Sequence, residues 1–327
     1  MNTQGQEKGW VLTVNGAAVP GVLCFALSGT DYIWTGLHYW EFAGAGLLLL
    51  LLFLAGVWYR CRSGKRSYLV NAVAAVQKYR FLIRQLVARD FKTKYKRSIL
   101  GMFWSFLNPL LTMCVQYFVF STIFKSDIPN YAVYLLIGIV SFNFFNEACG
   151  MALTSIIGNA GLITKVYMPK YIYPLTRVMS SVVNLGISLL PLVIVTLATG
   201  VALRKSVLLM FYFLLCLIVF SLGVGLLLSA SMVFFRDTQF LWGVLSMIWM
   251  YATPVFYPES ILPDWFRQTI LTCNPLYHFL KNTRLCILDG ISPEPAVYVQ
   301  CMLMALAALL LGALVFRKTQ DRFVLYL

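Results

Sequence analysis

The stretch RDFKTKYKRSILGMFWSFLNPLL, Arg89–Leu111, decides how this chain is read. Its first nine positions hold five basic residues and one acid, and the fourteen that follow carry no charge. A basic segment that runs without a loop into an apolar run marks a membrane boundary. Lys and Arg stay on the cytoplasmic side while the apolar run enters the bilayer.

Composition extends this to the whole chain. Of 327 residues, 60% are apolar and 12% charged, with a mean hydropathy of +0.78. A soluble domain needs more charge to cover its surface, so the chain reads as an all-α integral membrane protein. The net charge of +14 does not imply nucleic acid, because the basic residues flank apolar runs, where they set topology.

Seven runs are long enough to span: 43–59, 99–124, 131–152, 172–199, 207–234, 239–257 and 296–316. Between Arg60 and Ser98 lie twelve Lys/Arg and one acid, Asp90, which places that segment inside. Alternation then puts Lys165, Lys170, Arg236, Arg317, Lys318 and Arg322 inside, the N-terminus outside and the C-terminus inside. Arg204 and Lys205 run against the rule. Basic residues follow the first apolar run instead of preceding it, so that run is an additional span and not a secretory signal.

The organisation follows. Residues 1–42 form an extracytoplasmic cap with the Gly, Val and aromatic composition of a short hairpin, and 43–59 are the extra span. Residues 60–98 make a cytoplasmic turn and an interfacial helix. In that helix Leu69, Val73, Val76, Leu82, Ile83, Leu86 and Val87 recur at helical period against Gln77, Arg80, Arg84, Arg89 and Lys92. Residues 99–327 hold six further spans. Within them, 153–171 interrupts the apolar pattern on the inside. Asn159, Gly161 and Pro169 bracket a short helix, Leu162 to Tyr167, suited to pressing on a cytoplasmic partner; an ordinary connecting loop fits the residues equally well. Residues 258–290, broken by Pro258, Pro263 and Pro275, fit outer re-entrant half-helices, because irregular backbone at membrane depth needs protein or water beside it.

Few residues suggest chemistry. HExxH, GxSxG, DxD and paired carboxylates are absent, and His38 and His278 are far apart, so neither a catalytic set nor a metal site is expected. GxxxxGK[ST] is absent too, so any ATP hydrolysis belongs to another chain. The eight Cys are scattered; Cys273 and Cys286 both fall outside, where a bridge is possible. Glu147 lies within an apolar run, either as a functional intramembrane acid or near the inner end of a tilted helix; Arg177 poses the same choice with a stronger case for snorkelling. Aromatics make up 15% of the chain. Most belong to core or lipid faces, but Tyr117, Tyr134, Phe145, Trp249 and Tyr251 are candidates for a channel that stacks on sugar rings.

Five stretches together resemble one family. They are Arg89, Asp90, Tyr95, Ser98, Leu100, Gly101, Trp104 and Pro109; then Asn159, Leu162, Ile163, Lys165 and Pro169; then Arg236 and Asp237; then Thr253, Pro254, Val255, Tyr257 and Pro258; and last Asn274, Pro275, Arg284, Gly290 and Pro293. In this order, over residues 68–327, the chain resembles the permease subunits of type-2 ATP-binding-cassette exporters for O-antigen, capsule and teichoic acid. The resemblance implies a homodimer in the bacterial cytoplasmic membrane above two ATPase subunits, which would hold the ATP and Mg. Its substrate would be a glycan on undecaprenyl diphosphate. On this basis Arg89, Lys92, Lys94, Lys96 and Arg97 are expected to meet the diphosphate. Asn159, Leu162, Ile163, Lys165, Val166 and Tyr167 are expected to couple to the ATPase. Residues 1–67 depart from the family, whose members have six spans. A drug or lipid permease, and a membrane glycosyl- or acyltransferase, are the alternatives.

Overall fold

The computed structural model describes residues 13–14, 17–18, 77–96, 98–122, 128–163, 165, 168–201 and 204–326. The chain divides into two units, Met1–Leu52 and Phe53–Leu327. In the first, β1 (Thr13–Val14) pairs antiparallel with β2 (Ala17–Ala18), Thr13 opposite Ala18, which is a minimal hairpin. The expected span 43–59, the turn 60–67, the first part of the interfacial helix, Arg97, Val166 and Tyr167 lie outside the described residues.

The second unit is helical. Its main helices are α1 (Arg80–Lys94), α2 (Phe103–Thr122), α3 (Tyr131–Leu153), α4 (Ile172–Ala198), α5 (Met210–Phe234), α6 (Thr238–Ala252), α7 (Pro275–Arg284) and α8 (Pro295–Thr319). Among the described residues, five helices are long and apolar enough to cross a membrane: α2, α3, α4, α5 with its preceding turn, and α8 with the short helix after it. α3 and α5 form the centre. α3 packs on α2, α4, α5 and α7, while α5 also carries α8. α3 and α5 are apolar over most of their surface, as helices enclosed by others must be, and α3 departs from this at Asn143, Asn146 and Glu147.

The tightest crossing is α5 on α8, at Gly223 and Gly312. A Cβ placed on Gly223 would sit within the backbone of Ala308 and Leu309, and one on Gly312 would strike the Gly223 carbonyl. Small residues let membrane helices approach to backbone contact, where dispersion replaces a hydrophobic drive that lipid does not supply.

The run 239–257 is not one continuous span. α6 ends at Ala252 after 15 residues, about 22 Å, which is short of the ~30 Å hydrocarbon core. Pro254 is the cause: it lacks an N–H and drives its predecessor out of the helical region. Thr253 is accordingly extended, at φ −103° and ψ 130°. The residues beyond, Thr253–Phe256, are buried inside the bundle. The inner segment also departs from expectation. A 3₁₀ turn, Ile157–Asn159, runs into a single helical turn, Ala160–Ile163. Asn159 fastens it by donating to the Ser155 carbonyl at 2.7 Å.

The glycine crossing yields a controlled test. Gly243 has open space where a Cβ would go. We expect Gly223→Ala and Gly312→Ala each to destabilise the detergent-solubilised protein by roughly 1–3 kcal/mol, as overpacking does, and Gly243→Ala to leave it unchanged. Equal thermal midpoints for all three variants would show that the crossing is looser than described.

Candidate functional site

The end of the bundle expected to face the cytoplasm is held by α1, the helix expected to lie in the interface. Its apolar side (Tyr79, Leu82, Ile83) packs on a cluster formed by Ile156, Met168, Ile172, Tyr173, Phe316 and Phe323. One turn past Leu86, the same side of α1 carries an acid. Asp90 is enclosed, its side chain 3% exposed. It accepts from Arg89 at 3.0 and 3.2 Å and pairs with Arg177 of α4 at 3.2 Å. A carboxylate without partners could not remain there, because an isolated buried charge costs far more than packing returns. Arg89 also donates to Asn159 at 3.1 Å. One carboxylate and two guanidinium groups thus join the interfacial helix, the inner turn and α4.

A second set of bonds continues the joint. Lys94 pairs with Glu147 of α3 at 2.8 Å, and Asn184 of α4 donates to the same carboxylate. Tyr95 donates to Asn184 at 3.1 Å and hydrogen-bonds Ser105 at the start of α2. Glu147 therefore has Lys94, at the C-terminal end of α1, as its counter-ion, and Arg177 is held by a carboxylate.

This arrangement sorts the residues expected to meet a diphosphate. Lys94 is committed to Glu147, and Arg89 is shared between Asp90, Asn159 and solvent. Lys92 and Lys96 are exposed. With Arg89, Gln85 and Thr93 they line a groove of about 730 Å³ along α1. Of the residues expected to couple to an ATPase, Asn159 is buried, Leu162 and Ile163 lie partly against the apolar cluster, and Lys165 is exposed.

The N-terminal end of α3 has a joint of its own, built on a cation with no salt-bridge partner among the described residues. Arg284 is 7% exposed and donates to the carbonyls of Pro254 and Val255, each at 2.7 Å. Its guanidinium lies 3.5 Å from the centre of the Tyr134 ring. Gly138 makes room for it, since a Cβ there would meet both Arg284 and Val255 at 2.8 Å. Asn274 completes the joint. Its oxygen accepts from Trp249 and caps α7 at Leu276, and its nitrogen donates to Thr253. Tyr131 and Tyr134 donate to the carbonyls of Phe256 and Tyr257. The break after α6 is therefore a bound conformation.

The aromatics separate in the same way. Phe145 is 0% exposed, packed against Phe220, Trp242 and Trp249; it is core and lines no channel, contrary to expectation. Tyr134 and Trp249 are engaged in the Arg284 joint. Tyr117 and Tyr251 are exposed, Tyr251 at 60%. Cys273 and Cys286 are free thiols, the first exposed and the second buried, so the possible bridge is not formed.

The fold and site define a helical membrane protein with a polar joint at each end of α3, ion-paired at the C-terminal end. Comparison with known proteins gives the family. Residues 82–288 match the ABC-2 type transporter family, and the chain belongs to it. It is 27% identical over 256 residues to the O-antigen export system permease protein RfbA of Myxococcus xanthus, covering 78% of this chain and 98% of that protein. It is 30% identical over 210 residues to an RfbA of Klebsiella pneumoniae, covering 64% and 81%. It is 21% identical over 246 residues to the polysialic acid transport protein KpsM of Escherichia coli, covering 73% and 93%.

The inner joint is testable as a unit. Groups in one ion-pair network couple by roughly 0.5–3 kcal/mol. We expect Asp90→Asn and Arg177→Met each to lower unfolding stability in micelles, and the double variant to be less destabilised than the sum by about 1–3 kcal/mol. Additivity within ~0.5 kcal/mol would show that the two groups act independently.

Proposed function

We propose that this chain is the membrane-spanning subunit of an ATP-driven exporter that moves a lipid-linked polysaccharide across the bacterial cytoplasmic membrane. The observation that carries the reading is the inner joint. It ties the turn 153–171, where an ATPase would press, to the interfacial helix, where an anionic lipid would arrive. The relatives named as O-antigen and polysialic acid transporters supply the substrate class.

In this reading two copies of the chain sit above two ATPase subunits, which hold the ATP and Mg. Residues 1–42 form an outer cap, 43–59 an added span and 60–98 the cytoplasmic turn and gate helix. Residues 99–327 are the permease domain, with 258–290 re-entrant from outside. α2 and α6 expose much of their apolar surface, as faces turned to lipid and to a second copy would. Lys92 and Lys96 offer point charges to an undecaprenyl diphosphate, and Arg89 a planar fork. A diphosphate that draws Arg89 outward weakens its hold on Asp90 and Asn159, and so reports arrival to the turn. Movement of that turn by the ATPase acts on Arg89 in reverse.

Purification of the chain from its native membrane in mild detergent tests the reading. An ATP-binding-cassette ATPase should accompany it in equal amount, and Lys165→Glu should weaken that association. Lys165 is the suitable probe because Leu162 and Ile163 also pack inward. Cells lacking the chain should retain lipid-linked glycan on the inner side of the membrane. The reading fails if no ATPase accompanies the chain or if surface glycan persists without it. Stimulation of ATP turnover by small amphipathic compounds and not by glycan would favour a drug or lipid permease.

A further inference from the structure

α2 carries polar residues along one face. Ser105, Asn108, Thr112 and Gln116 recur at i, i+3, i+7 and i+11, the spacing of a single helical stripe, about 16 Å long. α3 packs on α2 and adds Asn143 and Asn146. α3 is among the most enclosed helices, yet both of these residues are exposed. Gln116 and Asn143 meet with Thr112 and Tyr251 around a cavity of about 240 Å³. The stripe begins at the inner joint, where Ser105 bonds Tyr95, and ends at this cavity.

The carboxamides of Gln116, Asn143 and Asn146 have no hydrogen-bond partner among the described residues. Thr112 donates to Asn108 at 3.3 Å, within the stripe. Lipid tails can satisfy none of these groups, and a polar group left unpaired in hydrocarbon is strongly disfavoured. The stripe must therefore face water, a polar ligand or protein. Its chemistry narrows the choice. Carboxamides and hydroxyls both donate and accept, which matches sugar hydroxyls, whereas ion paths use charged rings or rings of carbonyls. Tyr251 adds an aromatic face for the C–H side of a sugar.

We infer that the stripe Ser105–Asn108–Thr112–Gln116, with Asn143 and Asn146, is the hydrated wall along which the hydroxyl groups of a glycan pass. The inference rests on the export reading above. It assigns the recognition of neutral, hydroxyl-rich substrate to carboxamides, and leaves the buried aromatics to packing.

Two measurements test it. The first is independent of substrate. Thr112→Cys, Gln116→Cys and Asn143→Cys are made where Cys24, Cys61, Cys114 and Cys273 are replaced by Ser. In membranes holding the whole transporter these should react with a water-soluble thiosulfonate, and Cys114, exposed on the opposite side of α2 and restored as the one added thiol, should not. Equal reaction on both sides, or none on the stripe, overturns the inference; so does a Gln116→Cys disulfide between two copies, because the stripe would then be a protein interface. The second measurement is export. Gln116→Met and Asn143→Leu keep size but lose the amide. Together they should slow glycan export by about tenfold, the effect of one or two net hydrogen bonds, while the chain still inserts and retains its ATPase. Unchanged export overturns the inference. If the wild-type transporter moves no glycan, the export reading fails, and the labelling pattern still decides whether the stripe is wet.

Discussion

A carboxylate that cannot stand alone holds the inner half of this protein together. Asp90 is buried on the underside of α1, and only the guanidinium groups of Arg89 and Arg177 make that position tolerable. Burial of one acid therefore fixes where the interfacial helix lies on α4. Through Arg89 and Asn159 it also fixes where the inner turn lies beneath both. The apolar contacts of Tyr79, Leu82 and Ile83 supply adhesion without direction. The ion cluster supplies the register.

The Arg284 joint solves a different problem by related means. The chain breaks at Pro254, and a broken segment inside a membrane protein exposes carbonyls that need donors. Arg284 serves two of them from one planar fork and rests on the Tyr134 ring. No acid lies in salt-bridge contact with it among the described residues, so its charge is distributed over backbone dipoles and a π face. The Asp90 joint is partly open to solvent, because Arg89 is half exposed. The Arg284 joint is closed and better suited to holding a shape.

Much of this was legible in the sequence, for physical reasons. The limits of α3, α4, α5 and α8 match the apolar runs to within a few residues, because a membrane imposes uniform hydropathy on whatever spans it. The stretches that matched the family also mark both joints: Arg89, Asp90 and Asn159 at one end, and Thr253, Pro254, Val255, Asn274 and Arg284 at the other. Their partners were not legible. Nothing local links Asp90 to Arg177, or Arg284 to the Tyr134 ring. The run 239–257 was read too long, because hydropathy does not distinguish apolar residues in a helix from apolar residues folded back into protein. Phe145 was misplaced because hydropathy does not distinguish an enclosed aromatic side chain from one that lines a channel, and most of α3 is apolar. The carboxamide stripe does have a signal in the sequence, polar residues at helical spacing within an apolar run.

We propose that the Asp90 joint carries force between the turn at 153–171 and the transport path. The direct measurement is the ratio of ATP hydrolysed to glycan exported, in vesicles holding the whole transporter with Asp90→Asn beside the wild type. The account predicts that hydrolysis continues while export falls, because the motor still turns against a turn no longer fastened to α1. Hydrolysis and export both at wild-type levels in a stably inserted Asp90→Asn protein would contradict it.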